Sequence, residues 1–190
     1  MPSEDKYSEL FKEGCSLSTG LIRLDGQQPK GPGFFDRRKL KKAKALFESS
    51  AIESPRNAAP YLMLAKVCSS LGEHAESLDF LLKAWNLEPA NLILVIELSG
   101  AYGVLGKHKE AISVLEEGIK HYPNDPRVLF NLGISYLLEN RPQKAVDTFQ
   151  KTVEIEPEFP QNHSLLKYAH DVLAGRKPLP KSQSEIARNV

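Results

Sequence analysis

The chain has 190 residues, 41% of them hydrophobic and 26% charged, an ordinary globular composition with length for one domain and a respectable core. Its 25 basic and 24 acidic side chains leave a net charge of +1, which argues against a dedicated nucleic-acid binder with its clear basic excess. Two cysteines, Cys15 and Cys68, exclude a disulfide framework and fit a reducing compartment.

A period of 34 residues organises the sequence. Prolines fall at Pro55, Pro89, Pro123 and Pro157, and Asn57, Asn91 and Asp125 keep the same step. So do Leu64, Leu98, Leu132 and Leu166, the small residues Ala43, Ser77, Ala111 and Ala145, and the large ones Phe47, Leu81, Leu115 and Phe149. Gly72, Gly106 and Asn140 form a further column of residues that tolerate a left-handed backbone.

In chain order, Ser3–Asp25 reads as a first helix with Ser3 as its cap and Tyr7, Leu10, Phe11, Gly14, Leu17 and Leu21 inward. Residues 26–35 form an inserted loop by composition. After it, Leu40, Ala43, Phe47 and Ala51 make the apolar stripe of a second helix that ends at Pro55. Aligning Gly14 with Gly133 and Ala43 with Ala145 makes residues 1–57 a divergent repeat carrying that insertion. Each later repeat, 58–91, 92–125 and 126–159, opens on an N-cap (Asn57, Asn91, Asp125), which accepts from the free amides of the first turn. The Gly72, Gly106 and Asn140 column closes the first helix of each pair, and the second stops ahead of its proline. Residues 160–175 read as a capping helix with Leu165, Leu166, Ala169, Val172 and Leu173 inward and His163, Lys167 and His170 on a polar outer side. Residues 176–190 read as a flexible tail, with a short last helical turn as the alternative. No segment shows sustained strand alternation.

These columns resemble the tetratricopeptide repeat (TPR) pattern W-x2-L-G-x2-Y, A-x3-F, P. Leu129, Leu132-Gly133, Tyr136, Ala145, Phe149 and Pro157 carry it best; Val95, Leu98-Ser99, Tyr102, Ala111, Leu115 and Pro123 follow, as do Tyr61, Leu64-Ala65, Cys68, Ser77, Leu81 and Pro89. Trp is absent from the first place throughout, and Cys68 replaces the tyrosine of its repeat. The resemblance implies an all-α, right-handed α-solenoid of antiparallel helix hairpins, about four units plus a C-terminal capping helix.

Chemistry is sparse. His74 and His108 are equivalent turn residues with no recurring ligand beside them, so no metal or cofactor site is expected. Gly100–Lys107 superficially resembles a phosphate loop, but Ala101 holds the first glycine place and His108 the Ser/Thr place. No nucleophile elbow, Cys-x-x-Cys or His-Glu-x-x-His occurs, so no catalysis is expected. Arg37, Arg38, Lys39, Lys41, Lys42 and Lys44 put six basic residues in eight. They are read as the solvated outer face of a helix, or as a patch for nucleic acid, anionic lipid or an acidic peptide.

By the resemblance, the first helix of each repeat lines a concave groove that binds peptides through residues outside the packing columns. Those are Leu62, Lys66 and Ser69; Ile93, Ile96, Glu97 and Gly100; and Arg127, Phe130, Asn131, Ile134 and Leu137. Glu97 and Arg127 would fix register, and Gly100 and Gly103 would leave room for a bulky anchor. The chaperone-tail clamp of some relatives disagrees with the residues at its places, where Glu97 would repel a carboxylate, so an Hsp70/Hsp90 C-terminal tail is disfavoured as partner. The expected function is a non-catalytic adaptor that captures an apolar peptide in its groove. Its alternative is a small secretion-type or client-specific chaperone that shields hydrophobic segments of a partner. Against both stands a groove covered by the inserted loop, by the tail, or by a second subunit in a homo-oligomer. The start Met1-Pro2-Ser3-Glu4-Asp5 lacks the marks of a signal peptide, and the longest clean apolar run, Leu92 to Ile96, falls far short of the ~20 residues of a membrane span. A cytoplasmic protein without a membrane span is expected.

Overall fold

Ten helices follow one another in a computed structural model that describes residues 4–22 and 32–189, and no strand occurs among the described residues. They run α1 (Glu4–Ser18), α2 (Phe34–Glu53), α3 (Ala58–Leu71), α4 (His74–Leu87), α5 (Leu92–Val104), α6 (His108–His121), α7 (Pro126–Leu138), α8 (Pro142–Ile155), α9 (Pro160–Leu173) and α10 (Gln183–Asn189). The chain divides into two compact units, residues 1–94 and 95–190.

The punctuation follows local chemistry. The Asn57 side chain accepts from the Ala59 amide at 3.0 Å, Asn91 from Ile93 at 2.9 Å, and Asp125 from Arg127 and Val128 at 3.0 and 3.3 Å. Gly72 and Gly106 close their helices at φ 84° and 70°, and Asn140 takes φ 56° in the same column. Among the described residues Asn140 is the only non-glycine with positive φ. Helices α2, α4, α6 and α8 each stop two residues ahead of Pro55, Pro89, Pro123 and Pro157.

In the first unit α1 packs on α2, α2 on α3 and α3 on α4, around a core that includes Leu40, Ala43, Phe47, Leu64 and Val67. In the second, α6 packs on α7, α7 on α8 and α8 on α9. Close approach depends on missing side chains. A Cβ on Gly133 would lie 2.5 Å from Phe149 Cε1, one on Gly14 2.8 Å from Phe47 Cε1, and one on Gly118 2.5 Å from Val95 Cγ1.

Three boundaries differ from the sequence expectation. Helix α1 ends at Ser18, well before Asp25, because Thr19 bonds back to the Cys15 carbonyl and Gly20 turns left-handed at φ 72°. Of the inserted loop 26–35, residues 26–31 and the cap Ser3 lie outside the described residues. Phe34 and Phe35 already belong to α2, whose entry is fixed by the Gly33 amide donating to Asp36 at 3.2 Å. In place of a flexible tail, residues 176–189 turn back and end in α10, with Ile186 only 1% exposed. Leu173, expected inward, is 40% exposed, while Tyr168 and Asn162 are buried instead.

Candidate peptide-binding face

The first helices α3, α5 and α7 each present two sides. One carries the packing columns; the other carries the residues expected to line a groove. In the first unit Leu62 is half-buried, Ile93 is exposed, and Lys66, expected to reach a ligand, is buried. In the second unit Ile96, Glu97, Phe130 and Asn131 are half-buried, and Arg127 is exposed. Arg127 Nη2 sits 2.9 Å from Asp125 Oδ2, so the guanidinium engages the cap of its own helix. Burial would raise the Asp125 carboxyl, but the Arg127 hydrogen bonds and charge and the Val128 amide overrule it and hold it below its ordinary range.

Ile134 and Leu137, both expected in an open groove, are buried; Leu137 is fully so. They sit in two columns of the 34-residue period, Gly100–Ile134–Tyr168 and Gly103–Leu137–Asp171. The C-terminal segment touches three of the four outer members of these columns, Gly103, Tyr168 and Asp171. Gly175 reverses the chain after α9 at φ 70°, Arg176 and Lys177 donate their amides to the Asp171 carbonyl, and the Arg176 guanidinium reaches the Asp171 carboxylate at 2.7 Å. The Lys177 ammonium lies 4.9 Å from the centre of the Tyr168 ring. At the far end, the Gln183 amide fills the space beside Gly103, where a Cβ would come within 2.8 Å of Gln183 Nε2. The room expected at Gly103 is therefore taken; at Gly100 it remains open, with nothing within 4 Å of a built Cβ.

Family models described as Tetratricopeptide repeat match residues 58–91 and 105–167, together just over half of the chain. The chain belongs to the tetratricopeptide repeat family. Solved structures share the fold: a MamA protein aligns at TM-score 0.76 and 16% identity over 98% of this chain and 93% of its own. MamA from Desulfovibrio magneticus RS-1, residues 41 to the end, aligns at TM-score 0.73 and 17% identity, covering 97% and 94%. YrrB, described as a TPR protein with an unusual peptide-binding site, aligns at TM-score 0.60 and 22% identity, covering 73% and 69%. No curated protein matches the sequence.

Two features of this TPR chain stand apart from its repeat pattern. On α2, Phe34 and Phe35 are 81% and 76% exposed with ring centroids 5.7 Å apart, and Arg37, Arg38, Lys39, Lys41 and Lys42 are all exposed beside them. Lys44 is not part of that patch. Its ammonium turns inward to Glu76 at 2.7 Å and Glu73 at 3.0 Å. Cys68, Glu73 and Glu76 place one sulfur and two carboxylate oxygens within 4.8 Å of one another, a cluster that sequence reasoning missed. The Lys44 ammonium already supplies positive charge to both carboxylates, and burial pushes the Cys68 thiol up to about 12 despite Lys44, so the sulfur stays protonated. The signal was in the columns: Lys44 stands where Leu78, Ile112 and Val146 stand, and Cys68 where Tyr102 and Tyr136 stand. No described helix is long and apolar enough to cross a membrane.

Proposed function

We propose that this TPR protein is a non-catalytic interaction scaffold that takes an apolar segment of another protein on its first-helix faces. Ile96, Phe130 and their polar neighbours Glu97 and Asn131 form the accessible part of that face in the second unit; the first unit has its own first-helix residues, Leu62 and Ile93. One observation carries the reading: the face beside α5 and α9 already holds a short segment of polypeptide, the chain's own residues 176–189, through an amide seated at Gly103 and a cation on Tyr168. A surface that orders an otherwise marginal segment of the chain supports a role in holding short segments of polypeptide. The peptide-binding site of YrrB, a protein of similar fold, gives the reading a precedent.

The test is affinity capture followed by peptide mapping with Ile96→Glu and Phe130→Asp. Both positions lie outside the packing columns, so circular dichroism should be unchanged while partner capture is lost. Recovery of the parent's partners by both variants would remove the proposal.

A further inference from the structure

We propose that residues 176–189 are a resident ligand of the second unit's first-helix face, and that the partner of this face is a short amphipathic helix presenting Gln-x-x-Ile or Gln-x-x-Leu. The inference deepens the peptide-binding reading and rests on it.

The segment is built to dock, not to stand alone. Seven residues of α10 are too few to hold a helix in water, where nucleation is costly. Local bonds help to start it: the Glu185 amide donates to Ser182 Oγ at 3.2 Å, and the Lys181 amide donates to the Glu185 carboxylate at 2.9 Å. The rest of its order comes from contact at one side. Ile186 is 1% exposed while Ser184, Ala187 and Arg188 face solvent, so the helix has a single aliphatic anchor. Gln183, three residues earlier, is itself exposed, but the end of its side chain brings the amide against Gly103. Ahead of the helix Pro180 is buried, and Lys177 on Tyr168 with Arg176 on Asp171 ties the strap to α9. Gln183 and Ile186 thus read out the specificity of the seat: a space left by a glycine takes an amide, and a branched aliphatic side chain goes out of water one turn later. An incoming partner must replace the resident segment, which lowers its apparent affinity by the fraction of time the seat is filled.

A fluorescent synthetic peptide of residues 176–190, followed by anisotropy, is the probe, and the full-length chain is the receptor. Ile186→Asp in the full chain should release the tail, seen as loss of hydrogen-exchange protection over 183–188, and the peptide should then bind that chain about tenfold or more tighter than the parent chain. A peptide with Ile186→Leu should bind within about threefold of the parent peptide, and one with Ile186→Asp should not bind. Full-length Gly103→Leu combined with Ile186→Asp should lose the peptide, because the amide slot is filled. Equal binding of the peptide to the parent and Ile186→Asp chains, or binding to neither, overturns the inference. The partner-capture experiment with Ile96→Glu is separate. Capture that depends on Ile96 together with failure of the peptide to bind removes only the resident-ligand inference. Peptide binding with Ile96-independent capture removes the external-peptide reading and leaves the tail as an intramolecular strap.

Discussion

The ammonium of Lys44 on α2 lies 2.7 Å from the carboxylate of Glu76 on α4, and the same nitrogen reaches Glu73 at 3.0 Å. The three side chains join α2 to the start of α4, and Lys44 stands in a column otherwise filled by Leu78, Ile112 and Val146. Burial opposes the Lys44 charge, but the hydrogen bonds that its ammonium donates to Glu76 and Glu73 outweigh it and raise its pKa. Burial likewise opposes the Glu73 charge, and Lys44 overrules it and holds that carboxyl below its ordinary value.

Lys44→Met should therefore lower stability at pH 7 by about 1 kcal/mol, a modest figure because both carboxylates are more than a third exposed and screened by water. The pH dependence is the sharper readout. A depressed Glu73 pKa stabilises the fold above the unfolded value of about 4.3 and loses that contribution as pH falls through the folded value. A raised Lys44 pKa contributes fully below about 10.4 and is lost as pH rises through its folded value. Urea midpoints from pH 7 down to pH 3 should fall more steeply for the parent than for Lys44→Met. Parallel curves would show that the ion pairs do not stabilise the fold.

Why this cluster escaped the sequence, while the helix ends did not, is a matter of range. Asn57, Asn91 and Asp125 act on amides two or three residues away, and Gly72, Gly106 and Asn140 act on their own backbone, so a 34-residue register exposes them directly. Lys44 and Glu76 are far apart in sequence and meet only after α2, α3 and α4 have packed; the clue was the paired departure of Lys44 and Cys68 from their columns. The docking of the tail escaped the sequence for a related reason. Its composition is that of a disordered segment, and its order depends on one side chain, Ile186, finding a surface that no local pattern announces. Of the residues expected in the groove, Ile96 and Phe130 are half-buried, whereas Ile134 and Leu137 are buried and share columns with residues that the tail touches, which no local pattern shows.

Glycines give a graded test of the packing. At Gly133 an added Cβ would stand 2.5 Å from the ring of Phe149, which is fully buried and has no free volume to retreat into. Gly133→Ala should cost about 1–3 kcal/mol, and Gly14→Ala against Phe47 a similar amount. At Gly100 nothing lies within 4 Å, and at Gly103 the only close neighbour is the end of the Gln183 side chain, which can swing away. Gly100→Ala should match or exceed the parent by up to about 1 kcal/mol through helix propensity, and Gly103→Ala should lie near the parent. Chemical denaturation of the four variants settles the order. A Gly133→Ala chain as stable as Gly100→Ala would mean that α7 and α8 are less tightly packed than their contact implies.

The exposed patch on α2 provides the remaining discrimination. Arg38, Lys41 and Lys42 face solvent and take part in no ion pair among the described residues, so replacing all three with Gln should change stability by less than about 0.5 kcal/mol. Lys44 is left out of this variant because its loss would unpair Glu73 and Glu76 and confuse a binding defect with a folding one. If the first-helix face is the working surface, the triple variant captures the same partners as the parent while Ile96→Glu does not. The opposite pattern, capture lost with the three cations and with Phe34→Ser and Phe35→Ser but kept in Ile96→Glu, would move the function to α2. There an aromatic pair 5.7 Å apart beside exposed cations would meet an acidic surface. Salt separates the cases independently: binding through the patch should weaken steeply between about 50 and 200 mM salt, where exposed charges are screened, whereas an aliphatic anchor in an apolar seat should be nearly insensitive.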